Sequence, residues 1–303
     1  MIKETNNQYS NKNNNFDYKS SKILIRDDNK MEIKFNNSDI ITKASYLYNT
    51  FGPPNPRLEE SSYNTLKQIN DEIRKSGGYN SLFKYLLGEE LDRKTTLQLE
   101  KIEKDLKNVV VPMPPKYNPN IIKNTSDKIN EWYDKNKDVF AKEIKKFFGF
   151  DLPETLTITM NITSHKNGGQ GSELFATENN VAIQLGISYG TNPEQDINIP
   201  LRAITHELIH GLIEQNNQRE AIAKYGEYFE EALLDYFVPD GMLAQELGIM
   251  EEKMTLDEIC DNENEMRPYA AASSKELLPY IKEYAKNPNT TIFEFLKENW
   301  HKS

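Results

Sequence analysis

The sequence predicts an α+β fold, mainly helical, with a small mixed or antiparallel sheet packed on the helix that carries His206 and His210. Three observations predict it. Apolar residues recur at helical spacing through most of the chain. Between Leu156 and Ser188 the period changes to two, the mark of strands. After Pro200 the helical period returns and continues towards the C-terminal residues.

Residues 1–20 are rich in Asn and Lys and poor in apolar side chains, and read as a disordered tail. Residues 21–111 read as a helical N-terminal region. "FGPPNPRLEE" (Phe51–Glu60) is a turn that stops whatever precedes it. From Arg57 to Val111 the pattern is helical. Gly77 and Gly78 stand where a helix C-terminal cap belongs, and "TTLQLEKIEKDLKNVV" is a second, charged amphipathic helix. Residues 112–120 contain Pro112, Pro114, Pro115 and Pro119, which exclude continuous helix or central strand and mark a Pro-rich linker.

Residues 121–303 form the remaining unit. "SDKINEWYDKNKDVFAKEIKKFFGF" is a long helix with Ile129, Trp132, Val139, Ile144 and Phe148 on its apolar stripe. In "TLTITMNIT", Leu156, Ile158, Met160 and Ile162 alternate with Thr157, Thr159, Asn161 and Thr163, as in a strand with one buried face. "KNGGQG" reads as a flexible loop, and the adjacent His165 as a loop histidine. "SELFATENNVAIQLGIS" reads as a hairpin turning at Glu178–Asn180. Two helices follow, one around His206 and one over "EYFEEALLDYF", the second stopped by Pro239 and Gly241. The last third is helical, and Thr291 with Glu294 forms a capping-box pattern.

Composition excludes several classes of function. The chain has 303 residues, 37 basic against 47 acidic, for a formal charge of −10. A nucleic-acid backbone needs clustered cations, so nucleic acid is not an expected partner. With Cys260 as its single cysteine the chain forms no internal disulfide. No apolar run approaches the ~20 residues of a membrane span. The opening residues lack the apolar core of a secretory signal, which suits a cytoplasmic protein, or an exported or delivered effector that uses another route. Oligomeric state is not legible.

The chemistry concentrates in "RAITHELIHGLIEQN" (Arg202–Asn216). Pro200 suits a first helical turn and Asn198 a cap. At 100° per residue His206 and His210 fall about 40° apart, while Leu201, Ile204, Leu208 and Leu212 face a core. Two imidazoles one turn apart can reach one Zn2+ ion, and Glu207 beside them can take a proton from water without being a ligand. The spacing with a third histidine is missing, because Ile213 and Asn216 stand where Gly and His would be needed. A carboxylate must then complete the set. Glu231 follows His210 by 21 residues and shares a helix face with Asp235. Asp235 could accept the second ring N–H of a ligating histidine. Glu227 and Glu230 are rivals for the third ligand.

This pair of helices resembles the gluzincin metallopeptidases, the thermolysin-like class. "HELIH" matches the family's His-Glu-x-x-His helix, and "EEALLDYF" is similar to its Asn-Glu-Ala-x-x-Asp-x-Phe stretch, with Glu230 where Asn is usual. The resemblance implies a zinc endopeptidase acting on a protein or peptide. His206, His210 and Glu231 would be the metal ligands, Glu207 the general base, and Asp235 the acid behind the ligands. It also implies a sheet edge strand that pairs with extended substrate, a role open to Val181–Ser188 or another arm of the hairpin. An oxyanion donor would come from Tyr225, Tyr228, Arg267, Tyr269, Tyr280 or His301, with Tyr269 the first choice. Two other readings remain: a structural or inactive zinc protein whose N-terminal helices bind a partner, and a zinc hydrolase of a non-protein amide.

Overall fold

The computed structural model describes residues 31–50, 60–111, 119–163, 169–188, 190, 192, 195–226, 228–250 and 252–300. The order is β1 (Glu32–Phe35), α1 (Asp39–Thr50), α2 (Glu60–Lys75), α3 (Gly78–Leu86), α4 (Arg93–Asn108), α5 (Pro119–Phe148), β2 (Thr155–Thr163), β3 (Gly169–Ala176) and β4 (Asn180–Ser188). Then come α6 (Asn198–Gln215), α7 (Arg219–Ala223), α8 (Phe229–Asp235), α9 (Met242–Leu247), α10 (Leu256–Met266), α11 (Ala271–Lys286) and α12 (Ile292–Asn299). The fold is mainly helical with one small mixed sheet, as the periodicity predicts.

The sheet runs β1-β2-β4-β3. β1 and β4 are each parallel to β2, and β3 is antiparallel to β4. Leu156, Ile158, Met160 and Ile162 pair with Val181, Ile183, Leu185 and Ile187, so one face is continuously apolar. Burying that face against α5 and α6 forms the main core, with Phe140, Ile144, Phe147, Leu208 and Leu212. The sheet is not one-sided, however. Thr157, Thr159 and Gln184 on its other face are buried too. Leu174, Phe175 and Ala182 pack there with Ile41, Leu47, Leu66, Ile73, Phe83 and Leu99 from α1–α4. The alternation of Thr with apolar residues reads as a solvent face, but threonine suits a covered sheet equally well.

Other expectations change as well. Val181–Ser188 is an interior strand, and the hairpin arm on the sheet edge is β3. Gly169–Gly171 belongs to β3 rather than to a loop. β1, in a region read as helical, is a strand. Val139 is 46% exposed because Phe140 occupies the inward position beside it. α5 starts at Pro119, whose missing N–H costs nothing in a first turn. Asn198 is already helical, and α6 follows Ile197 without a side-chain cap. The Thr291/Glu294 capping box forms as read. Among the described residues no helix is long and apolar enough to cross a membrane.

α6 lies against β3 and β4. It is buried almost all round, including Leu201, Ile204, Leu208, Ile209, Leu212 and Ile213. Two glycines set its distance from the sheet. A Cβ on Gly211 would stand 2.3 Å from Val181 Cγ1, and one on Gly171 in β3 would stand 2.4 Å from Glu207 Cγ. Either contact is far inside van der Waals range, so only glycine allows this approach.

Candidate metal centre

α6 presents His206 and His210 on one side, and α8 brings Glu231 opposite them. One ligand atom from each of the three residues can be chosen so that all lie within 4.8 Å of one another. The two Nε2 atoms are 3.1 Å apart. Glu231 Oε1 is 3.6 Å from His206 Nε2, and Oε2 is 3.0 Å from His210 Nε2. Zinc–ligand bonds of 2.0–2.1 Å at tetrahedral angles put neighbouring ligand atoms about 3.3 Å apart. The two imidazole nitrogens stand close to that spacing, and each has a different Glu231 oxygen beside it. His206, His210 and Glu231 therefore form a group that can hold a metal ion.

Hydrogen bonding supports the same reading. His210 Nδ1 meets Glu230 Oε1 at 2.6 Å, and His206 Nδ1 faces the Val238 carbonyl at 3.4 Å. Both partners accept only, so each Nδ1 carries the proton and each Nε2 offers a lone pair. Two lone pairs and a carboxylate aimed at one point repel unless a cation sits among them.

Without a metal ion, a proton takes that place. Burial pushes the His210 imidazolium down, but hydrogen bonds to Glu230 and Glu231 outweigh it and raise the pKa to about 10. Burial likewise pushes the Glu231 carboxyl up, and the neighbouring His206 and His210 rings hold it well below the usual carboxylate range.

The acids behind the ligands divide between them. Asp235 Oδ1 is 3.9 Å from His206 Nδ1, and both Asp235 oxygens accept from Arg267 Nη1, at 3.0 and 2.8 Å. Arg267 Nη1 also donates to Glu231 Oε1. Glu230, weighed from sequence only as a rival ligand, instead holds His210. It is in turn approached by Arg219, which donates to Glu173 Oε2 on β3 at 2.7 Å. Glu207 Oε2 accepts the backbone N–H of Glu173 at 2.8 Å.

Glu227, His165 and His301 lie outside the described residues. Tyr225 packs between Phe229 and Trp300, and Tyr280 lies on Trp300. Tyr269 is 54% exposed, in the turn before α11. Its ring is 4.9 Å from that of Tyr228, the residue before α8. Sequence reasoning missed Arg219 and Glu173. Their one signal is Arg219 itself, a lone cation just after the metal helix and close to Glu214 and Glu220.

No protein-family model, curated protein or solved structure matches the chain. The gluzincin resemblance rests on the residues of α6 and α8.

Proposed function

We propose that the chain is a zinc-dependent endopeptidase, with His206, His210 and Glu231 holding the ion and Glu207 as general base. One observation carries this reading: the three-residue metal group has a second carboxylate, Glu207, next to its first histidine and against the edge strand β3. Two imidazoles and a carboxylate suit zinc. A metal site that only stabilised the fold would need no base beside the ion.

When bound, zinc supplies Lewis acidity that polarises a carbonyl and acidifies water. Glu207 takes the proton from the attacking water and passes it to the departing nitrogen. His210 keeps its ring orientation through Glu230, and His206 through the Val238 carbonyl. β3 is an edge strand, so an extended peptide can add to it by main-chain hydrogen bonds. That line of binding passes Gly171 and Glu173, next to Glu207. The developing oxyanion is assigned to the Tyr269 hydroxyl. Tyr269 is two residues from Arg267, which reaches Glu231.

The test compares wild type with Glu207→Gln on a peptide library, with zinc counted by elemental analysis. Equal zinc and at least a 100-fold loss of cleavage are expected. Cleavage at the wild-type rate by the Gln variant would refute the mechanism. Zinc without cleavage by wild type would favour a structural site or a non-protein substrate.

A further inference from the structure

We infer that Arg219 is a positioning residue that ties the edge strand β3 to the metal ligand His210. The inference rests on the metal-centre reading above. Arg219 opens the short helix α7, between the two metal-bearing helices. Its guanidinium meets three acids: Glu173 Oε2 at 2.7 Å, Glu214 Oε2 at 3.1 Å and Glu230 Oε2 at 3.5 Å. These acids come from β3, α6 and α8. Glu230 continues the chain to His210 Nδ1 at 2.6 Å.

Charge explains why an arginine is needed. Glu173 and Glu230 are mostly buried, their side chains 13% and 17% exposed. Without a cation between them, two carboxylates at close range in a low-dielectric site would repel. Glu230 would then swing away from His210 or turn towards the ion as a competing ligand. Arginine's planar fork can hold several carboxylates at once, which a lysine ammonium does less well.

Residue 173 is held twice. Its side chain binds Arg219, and its backbone N–H binds Glu207. The register of β3 is thus connected to the proposed base directly and to His210 through Arg219 and Glu230. A β3 that shifts, or that a substrate strand displaces, would be felt at the metal ligand.

The test measures zinc affinity by chelator competition at fixed pH for wild type, Arg219→Gln, Arg219→Lys, Glu173→Gln and the Arg219→Gln/Glu173→Gln double variant. Amide hydrogen exchange at Glu173 and thermal unfolding of the ion-free proteins accompany it. Arg219→Gln should weaken zinc 10–100-fold, the range for groups behind metal ligands. Arg219→Lys should fall between it and wild type. The double variant should be no worse than Arg219→Gln, because both changes cut one chain. Exchange at Glu173 should quicken at least tenfold in Arg219→Gln while β4 amides hold. Zinc affinity within twofold of wild type in a folded Arg219→Gln would overturn the inference alone, as would a loss that merely tracks thermal stability. If Arg219→Gln fails to fold, Glu173→Gln decides by the same readouts. Failure of wild type to bind zinc would overturn the metal reading and the inference with it.

Discussion

The Nε2 atoms of His206 and His210 face each other at 3.1 Å, while the opposite ring nitrogens face acceptors. The pair is thus arranged to share one cation. Replacing either histidine with Ala, or Glu231 with Gln, should weaken zinc binding more than 100-fold, a larger loss than for any group behind the ligands. Elemental analysis after dialysis checks this. Full zinc occupancy in His206→Ala would exclude the site.

Gly171 leaves room for Glu207. In Gly171→Ala the new methyl would fall 2.4 Å from Glu207 Cγ, so the carboxylate must move. Zinc content should stay at the wild-type level while cleavage falls at least tenfold. Overpacking of this kind costs about 1–3 kcal/mol, readable in urea unfolding. Unchanged activity would show that the position of Glu207 does not matter.

The ion-free cluster gives a pH dependence whose sign can be worked out. His210 has its pKa raised to about 10, so its stabilising effect is complete below the unfolded value near 6.5 and is lost as pH rises towards 10. Glu231 has its pKa lowered, so its effect is present above the ordinary carboxylate range and is lost as pH falls. Ion-free stability from this cluster should peak between about pH 5 and 6.5. Zinc binding runs the other way, since at pH 7 it must expel the His210 proton. Calorimetry in buffers of different ionisation enthalpy should report about one proton released. Heats independent of buffer would contradict this.

Arg267 bridges Glu231 and Asp235 with one positive charge. In Arg267→Ala, Asp235, whose side chain is 6% exposed, loses this contact. Breaking a buried pair this way costs about 3 kcal/mol, at the low end because the guanidinium is partly solvated. Added zinc should restore part of that loss by taking up the Glu231 charge. Urea unfolding with and without zinc checks both statements, and a variant as stable as wild type in both would refute them.

Much of this was legible in the sequence where spacing encodes it. The His206/His210 helix, Glu231 one turn before Asp235, and the alternation in β2 and β4 all follow from 3.6- and 2-residue periods. β1 was not legible, because four residues, "EIKF", are too short a run to show a period. Nor was the covered second face of the sheet, since Thr157 and Thr159 look alike beneath water or beneath helices. The partnership of Glu173, Arg219 and Glu230 joins residues from three elements that only the folded chain brings together.

The pairing of Glu32 with Thr155 has a further consequence. The strand that covers the β2 margin, and the helices that cover Phe175, come from residues 32–108, well before the helix of His206 and His210 in sequence. A protease nick at the proline cluster that released residues before it would strip both. The remaining piece would keep its histidines but show a bare strand margin and a greasy plane, the ingredients of self-association. Trimming the molecule to its metal group would therefore trade a folded protein for a precipitate.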